Sequence, residues 1–111
     1  MDSRQLKQEL MRIFGNQIAF NKDFDSHAAL IKNIDDTLLS WCQALKRGEI
    51  RALRAPKMED CVIFIKKIGA SNRCIVIKIV NGEFKEVHLG DHAYYDRLRK
   101  IIGLKKDSII H

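Results

Sequence analysis

Leu6, Leu10, Ile13 and Phe14 stand at helical spacing with charged residues between them, which predicts an amphipathic helix over 3–14. Gly15-Asn16 is a common stop for such a helix. The stretch Gln17–Phe20 reads as a short extended segment. Asp25 or Ser26 can cap a second helix running through Asn33. Asp35-Asp36 opens a third, whose broad apolar face is Leu38, Leu39, Trp41, Cys42 and Leu45. Lys46-Arg47-Gly48 closes it and puts positive charge at the negative end of the helix dipole.

The pattern then changes. Arg51–Asp60 reads as a loop around the only proline, Pro56. Two apolar runs, Cys61–Ile68 and Arg73–Val80, read as strands joined by a turn carrying Gly69, Ser71 and Asn72. Asn81-Gly82 predicts a two-residue type I′ hairpin turn, which needs positive φ at both positions, before a third strand, Glu83–Leu89. Asp91 is a good N-cap for a last helix striped by Tyr94 or Tyr95, Leu98, Ile101 and Ile102 and ended by Gly103. The order predicts an α+β fold. Three C-terminal antiparallel strands and a short first strand pack with two central helices, an N-terminal helix and a C-terminal helix. Residues 1–15 are then a helical extension, 16–103 the core and 104–111 a tail.

At 111 residues the chain is sized for one domain. No apolar run approaches the roughly 20 residues that span a bilayer, so no membrane partner is expected. The opening Met1-Asp2-Ser3-Arg4-Gln5 is polar and has no signal-peptide core, which points to the cytoplasm. A net charge of +6 and a pI near 9.4 suit a partner rich in phosphate or carboxylate. Cys42, Cys61 and Cys74 are odd in number, lack ligand spacing and sit in apolar patterns, so they read as buried reduced thiols rather than a metal site.

Candidate chemistry gathers toward the C-terminal half. Lys66, Lys67 and Arg73 cluster at the first hairpin, where Arg73 can fork onto a phosphate. Adjacent lysines on a strand face opposite ways, so only one of Lys66 and Lys67 shares a given face. Basic residues at a hairpin end also serve simply as a solvated edge. Arg51, Arg54 and Lys57 suit sequence-independent grip on an RNA backbone. Alternation puts His88 on one face with Phe84 and Glu86, as an acid/base or an ordinary cross-strand polar residue. His92, at the start of the last helix, is the leading acid/base candidate, because an unperturbed imidazole titrates at about 6.5. One of Tyr94 and Tyr95 continues the core stripe; the other can stack on an exposed base. Trp41 and Phe64 read as core, and His27 and His111 carry no signal.

Three segments resemble parts of the RelE/ParE toxin superfamily. Ile18-Ala-Phe-Asn-Lys-Asp-Phe24 resembles the opening strand and its run into the helices. Lys66-Lys67-Ile68-Gly69 with Asn72-Arg73-Cys74-Ile75-Val76-Ile77 resembles the central basic hairpin. Gly90-Asp91-His92-Ala93-Tyr94-Tyr95 resembles the Gly-x-His segment after the last strand in the YafQ-like branch. The helix at 3–14 precedes the usual start of that family, and no histidine lies between His27 and His88, where the YafQ-like branch carries them.

The resemblance implies an endoribonuclease toxin that cuts mRNA on the ribosome and is neutralised by a cognate antitoxin in a hetero-oligomer, with no metal or cofactor. Its chemistry is attack by the RNA 2′-hydroxyl, which needs a base, an acid for the leaving 5′-oxygen and positive charge at phosphorus. The catalytic set implied is His92, Arg73, Lys66, Lys67, Tyr95 and His88, leaning on Lys and Arg as in the RelE-like branch; Arg51, Arg54, Lys57 and Tyr94 would hold the RNA. Two further readings keep the fold: a module that binds RNA or a partner protein without cutting, and a ParE-like gyrase inhibitor.

Overall fold

A computed structural model describes residues 1–31 and 36–104. Its elements are α1 (Ser3–Phe14), β1 (Ala19–Phe20), α2 (Phe24–Leu30), α3 (Asp36–Lys46), β2 (Leu53–Arg54), β3 (Cys61–Ile68), β4 (Asn72–Ile79), β5 (Phe84–Asp91) and α4 (His92–Ile102). They make an α+β fold around one mixed sheet of order β1-β5-β4-β3-β2. β1 runs parallel to β5; the other pairings are antiparallel. The expected extension of α2 to Asn33, the Asp35 start of α3 and the tail from Lys105 to His111 lie outside the described residues.

α1 covers the span its periodicity predicts. Asp2 caps it by accepting from the Gln5 N–H at 2.8 Å, and the Gln5 side chain accepts from the Asp2 N–H at 3.1 Å. Leu6, Leu10 and Phe14 are buried against α3 and the sheet. Burying a side chain of this size contributes roughly 1.5–3 kcal/mol. α2 starts earlier than expected. Its N-cap position is Asp23, and Asp25 is engaged by Ser3 and Lys7 of α1 instead of capping.

Cys61–Ile65 and Cys74–Ile77 show no polar alternation, the mark of strands covered on both faces. One face carries Phe64, Cys74, Val76, Val87 and Leu89 under α1, α2 and α3. The other carries Ile63, Ile65, Ile75 and Ile77 under Tyr95 and Ile102 of α4. α4 therefore lies across the sheet from the other three helices.

Three details depart from the sequence reading. The loop before β3 contains a fifth strand, β2, which pairs Leu53 with Ile63 and Arg54 with Val62. The β4–β5 turn is not type I′: only Asn81 takes positive φ, at 56°, and the Gly82 N–H donates to the Ile79 carbonyl at 2.9 Å. Val80 and Asn81 are thus its central pair, while the Val80 N–H is drawn off to Asp60. Third, Ile77 faces Glu86 but Lys78 faces Phe84, so Lys85 is an extra residue in the ladder. That bulge turns Phe84 to the α1 side, where it stacks on Phe14, and away from His88 and Glu86.

Candidate functional site

The end of β5 passes into α4 with no loop, because Asp91 serves both as the last strand residue and as the helix cap. Its carboxylate accepts from the Tyr94 N–H at 2.9 Å. That bond, ahead of the smaller pull of His27 and Arg97, holds the Asp91 carboxyl below its ordinary pKa. Gly90, just before the cap, is buried and bears no side chain, so the Tyr94 ring lies directly on the strand.

Tyr94 meets two residues of β5 there. His88 Nδ1 is 2.6 Å from the Tyr94 hydroxyl, and His88 Nε2 is 2.8 Å from Glu86 Oε1. His88 is buried, Glu86 and Tyr94 are half-buried. The rings of His88 and His27 each lie 6.0 Å from that of Tyr94, and the Arg97 guanidinium sits 5.9 Å over it. Tyr94 is therefore hemmed by three side chains rather than standing free for a base. Burial, reinforced by the carboxylates of Glu86 and Asp23, raises its phenol pKa; Arg97 and the Asn21 amide oppose that. The phenol stays protonated at neutral pH.

Arg73 lies on the same sheet face, one strand away. It pairs with Gly90, while the next residue on that face, Ile75, pairs with His88. Its side chain turns toward the Asn72 carbonyl and the Tyr95 ring, while the Tyr94 ring fills the space over Gly90. The residue is 6% exposed, donates from Nη1 to the Asn72 carbonyl at 2.9 Å, and packs 5.9 Å over the Tyr95 ring. Among the described residues its Nε has no hydrogen-bond partner, nor does the buried Tyr95 hydroxyl, and no carboxylate pairs with it. Burial pushes the Tyr95 phenol up, against the opposing pull of Arg99 and then Arg73. A buried guanidinium without a counter-charge is costly unless an anion arrives to pair with it.

The remaining candidates divide by position. Lys67 pairs with Arg73 across β3 and β4 and shares its face; Lys66 pairs with Cys74 and belongs to the opposite face. His92 is exposed on the first turn of α4, with Nδ1 3.4 Å from Asp96 Oδ2 and its ring 6.4 Å from that of Tyr95. Arg54 and Lys57 sit elsewhere. Lys57 takes the carboxyl end of α4, its N–H donating to Ile102 and its Nζ to Lys100. That end lies ten helical rises, about 15 Å, from His92. Arg54 lines a cleft of about 650 Å³ with Pro56, Cys61 and Val80, at the β2 edge. Arg51 is exposed just before β2.

Sequence reasoning missed Asn21 and Asp96, and it put Glu86 on the His88 face without giving it a role. The role of Glu86 could be found, since two residues before His88 on one strand puts its carboxylate within reach of that ring. Asn21 gave no local signal, because its amide bonds the main chain of Leu89, 68 positions away. His27, which carried no signal, faces Tyr94.

Compared with protein-family models, curated proteins and solved structures, the chain finds no match in any of the three. Among the described residues no helix is long and apolar enough to cross a membrane.

Proposed function

We propose that this chain is a RelE/YafQ-type endoribonuclease that cuts ribosome-bound mRNA by 2′-hydroxyl attack and is held in check by a protein antitoxin. The observation that carries the reading is Arg73. Its buried guanidinium has a free Nε, no carboxylate partner among the described residues and a neighbouring unpartnered phenol, the environment a phosphate would complete. The order of elements supports it too, with a helical pair between a short first strand and three antiparallel strands, the first strand lying beside the last.

In this reading Arg73, helped by Lys67, carries the negative charge that builds on phosphorus. The Tyr94–His88 pair accepts the 2′-hydroxyl proton, and His92, oriented by Asp96, supplies a proton to the leaving 5′-oxygen. Lys66, on the other face, has no part at the phosphate. The basic residues near β2 engage RNA backbone away from the cut.

The reading is tested by primer extension on translated mRNA. Ribosome-dependent cuts are expected with the wild type and lost in Arg73→Ala and Tyr94→Phe. Binding of RNA without cuts would favour a non-cleaving module. Inhibited supercoiling with intact mRNA would point to gyrase.

A further inference from the structure

Glu86, His88 and Tyr94 form one hydrogen-bonded line from a half-buried carboxylate through a buried imidazole to a phenol. The two spacings, 2.8 and 2.6 Å, are both within hydrogen-bond range. An ionised carboxylate can only accept, so the Glu86 contact requires the proton of His88 on Nε2. Neutral His88 then presents a bare Nδ1, and the Tyr94 hydroxyl must donate to it. The phenol oxygen can still accept: the Asn21 amide lies beside it, and a lone pair remains for an incoming hydroxyl proton. Carboxylate, imidazole and hydroxyl follow the order of a hydrolase triad, with a phenol in the place of the serine.

We propose that Glu86 is a positioning residue: it fixes the tautomer of His88 and thereby makes Tyr94 the group through which the attacking hydroxyl loses its proton. This rests on the RNA-cutting reading of the same face. In the step, the 2′-hydroxyl proton passes to Tyr94 Oη as the Tyr94 proton passes to His88 Nδ1. The 2′-oxygen forms its bond to phosphorus, and the bond from phosphorus to the 5′-oxygen breaks, that oxygen taking a proton from His92. His88 is left as an imidazolium between Glu86 and a neutral Tyr94, so the phenol never has to become a phenolate. That route suits a phenol held protonated by burial. Gly90 is part of the device, since any side chain there would displace the Tyr94 ring.

The test joins imidazole 15N NMR to kinetics. In wild type the His88 ring is expected protonated at Nε2 and unprotonated at Nδ1. In Glu86→Gln the amide can donate as well as accept, so it no longer dictates the tautomer, and the Nδ1–H form should appear. Glu86→Ala should do the same if the glutamine happens to hold the original arrangement. On ribosome-bound mRNA, kcat of Glu86→Gln should fall about ten- to a hundredfold with KM within about twofold. A wild-type His88 protonated at Nδ1, a tautomer unmoved in both variants, or an unchanged kcat would overturn the proposal. Tautomer control without any wild-type cleavage would sink the RNA-cutting reading while leaving Glu86 as the residue that fixes the His88 tautomer.

Discussion

Gly90 and the Tyr94 ring occupy each other's space so closely that a Cβ on residue 90 would stand 2.4 Å from Tyr94 Cδ1 and 2.7 Å from its Cβ. The obstructing atoms are the root of the side chain, which cannot swing away without moving α4. Gly90→Ala should therefore cost roughly 1–3 kcal/mol, as overpacking does in other cores, and part Tyr94 from His88. Thermal unfolding reads the first effect, and loss of the cross-peak between the two rings reads the second.

Tyr94 and Tyr95 are the only two tyrosines, and both phenols are raised. Alkaline titration of the native protein should show phenolate absorbance only above the ordinary value of about 10, dropping back toward it on unfolding. The folded state binds these protons more tightly than the unfolded one. Their stabilising contribution is thus whole below about pH 10 and lost as pH climbs through the folded-state values. Denaturation midpoints of wild type should fall more steeply over that range than those of the double Tyr94→Phe, Tyr95→Phe variant.

The buried thiols should be inert. Burial pushes Cys74 up to about 12, and raises Cys42 further still, with Cys74 beside it. Cys61 is raised by burial and by neighbouring Asp60. Because only the thiolate reacts, an alkylating reagent near neutral pH should leave Cys42 and Cys74 unmodified in the native state. Their labelling rate should follow the opening of the core as denaturant is added; rapid native labelling of either would contradict the packing.

α1 is stitched into the main core by Leu6 and Leu10, both fully buried. Leu10→Ala should destabilise by about 2–5 kcal/mol, seen as a lower urea midpoint with an unchanged m-value. A loss under about 0.5 kcal/mol would mean that the helix is a loose appendage.

Local pattern predicted α1 to the residue and β3 to the residue, because a capped helix and a long apolar strand carry their own signals. It failed where one residue changes the geometry. Two residues of β2 offer no period to detect, and the extra residue Lys85 reverses the side on which Phe84 lies without altering the apolar pattern. The placement of α4 opposite the other helices follows from apolar residues on both faces of β3 and β4, a signal present but not used. At the site, alternation put Glu86 and His88 on one face. That Tyr94 would close on them depends on the loopless passage at Gly90-Asp91, and the lack of a carboxylate against Arg73 among the described residues is a property of the packed molecule alone.

The Asn21 amide, one residue past β1, accepts from the Leu89 N–H at 2.9 Å and donates to its carbonyl at 3.0 Å. A side chain has taken over the work of a peptide group and lengthened a two-residue strand by one rung. Leu89 consequently has no main-chain bond left to offer a stray strand on that margin. Asn21→Ala would unseal it, leaving a margin able to template another strand.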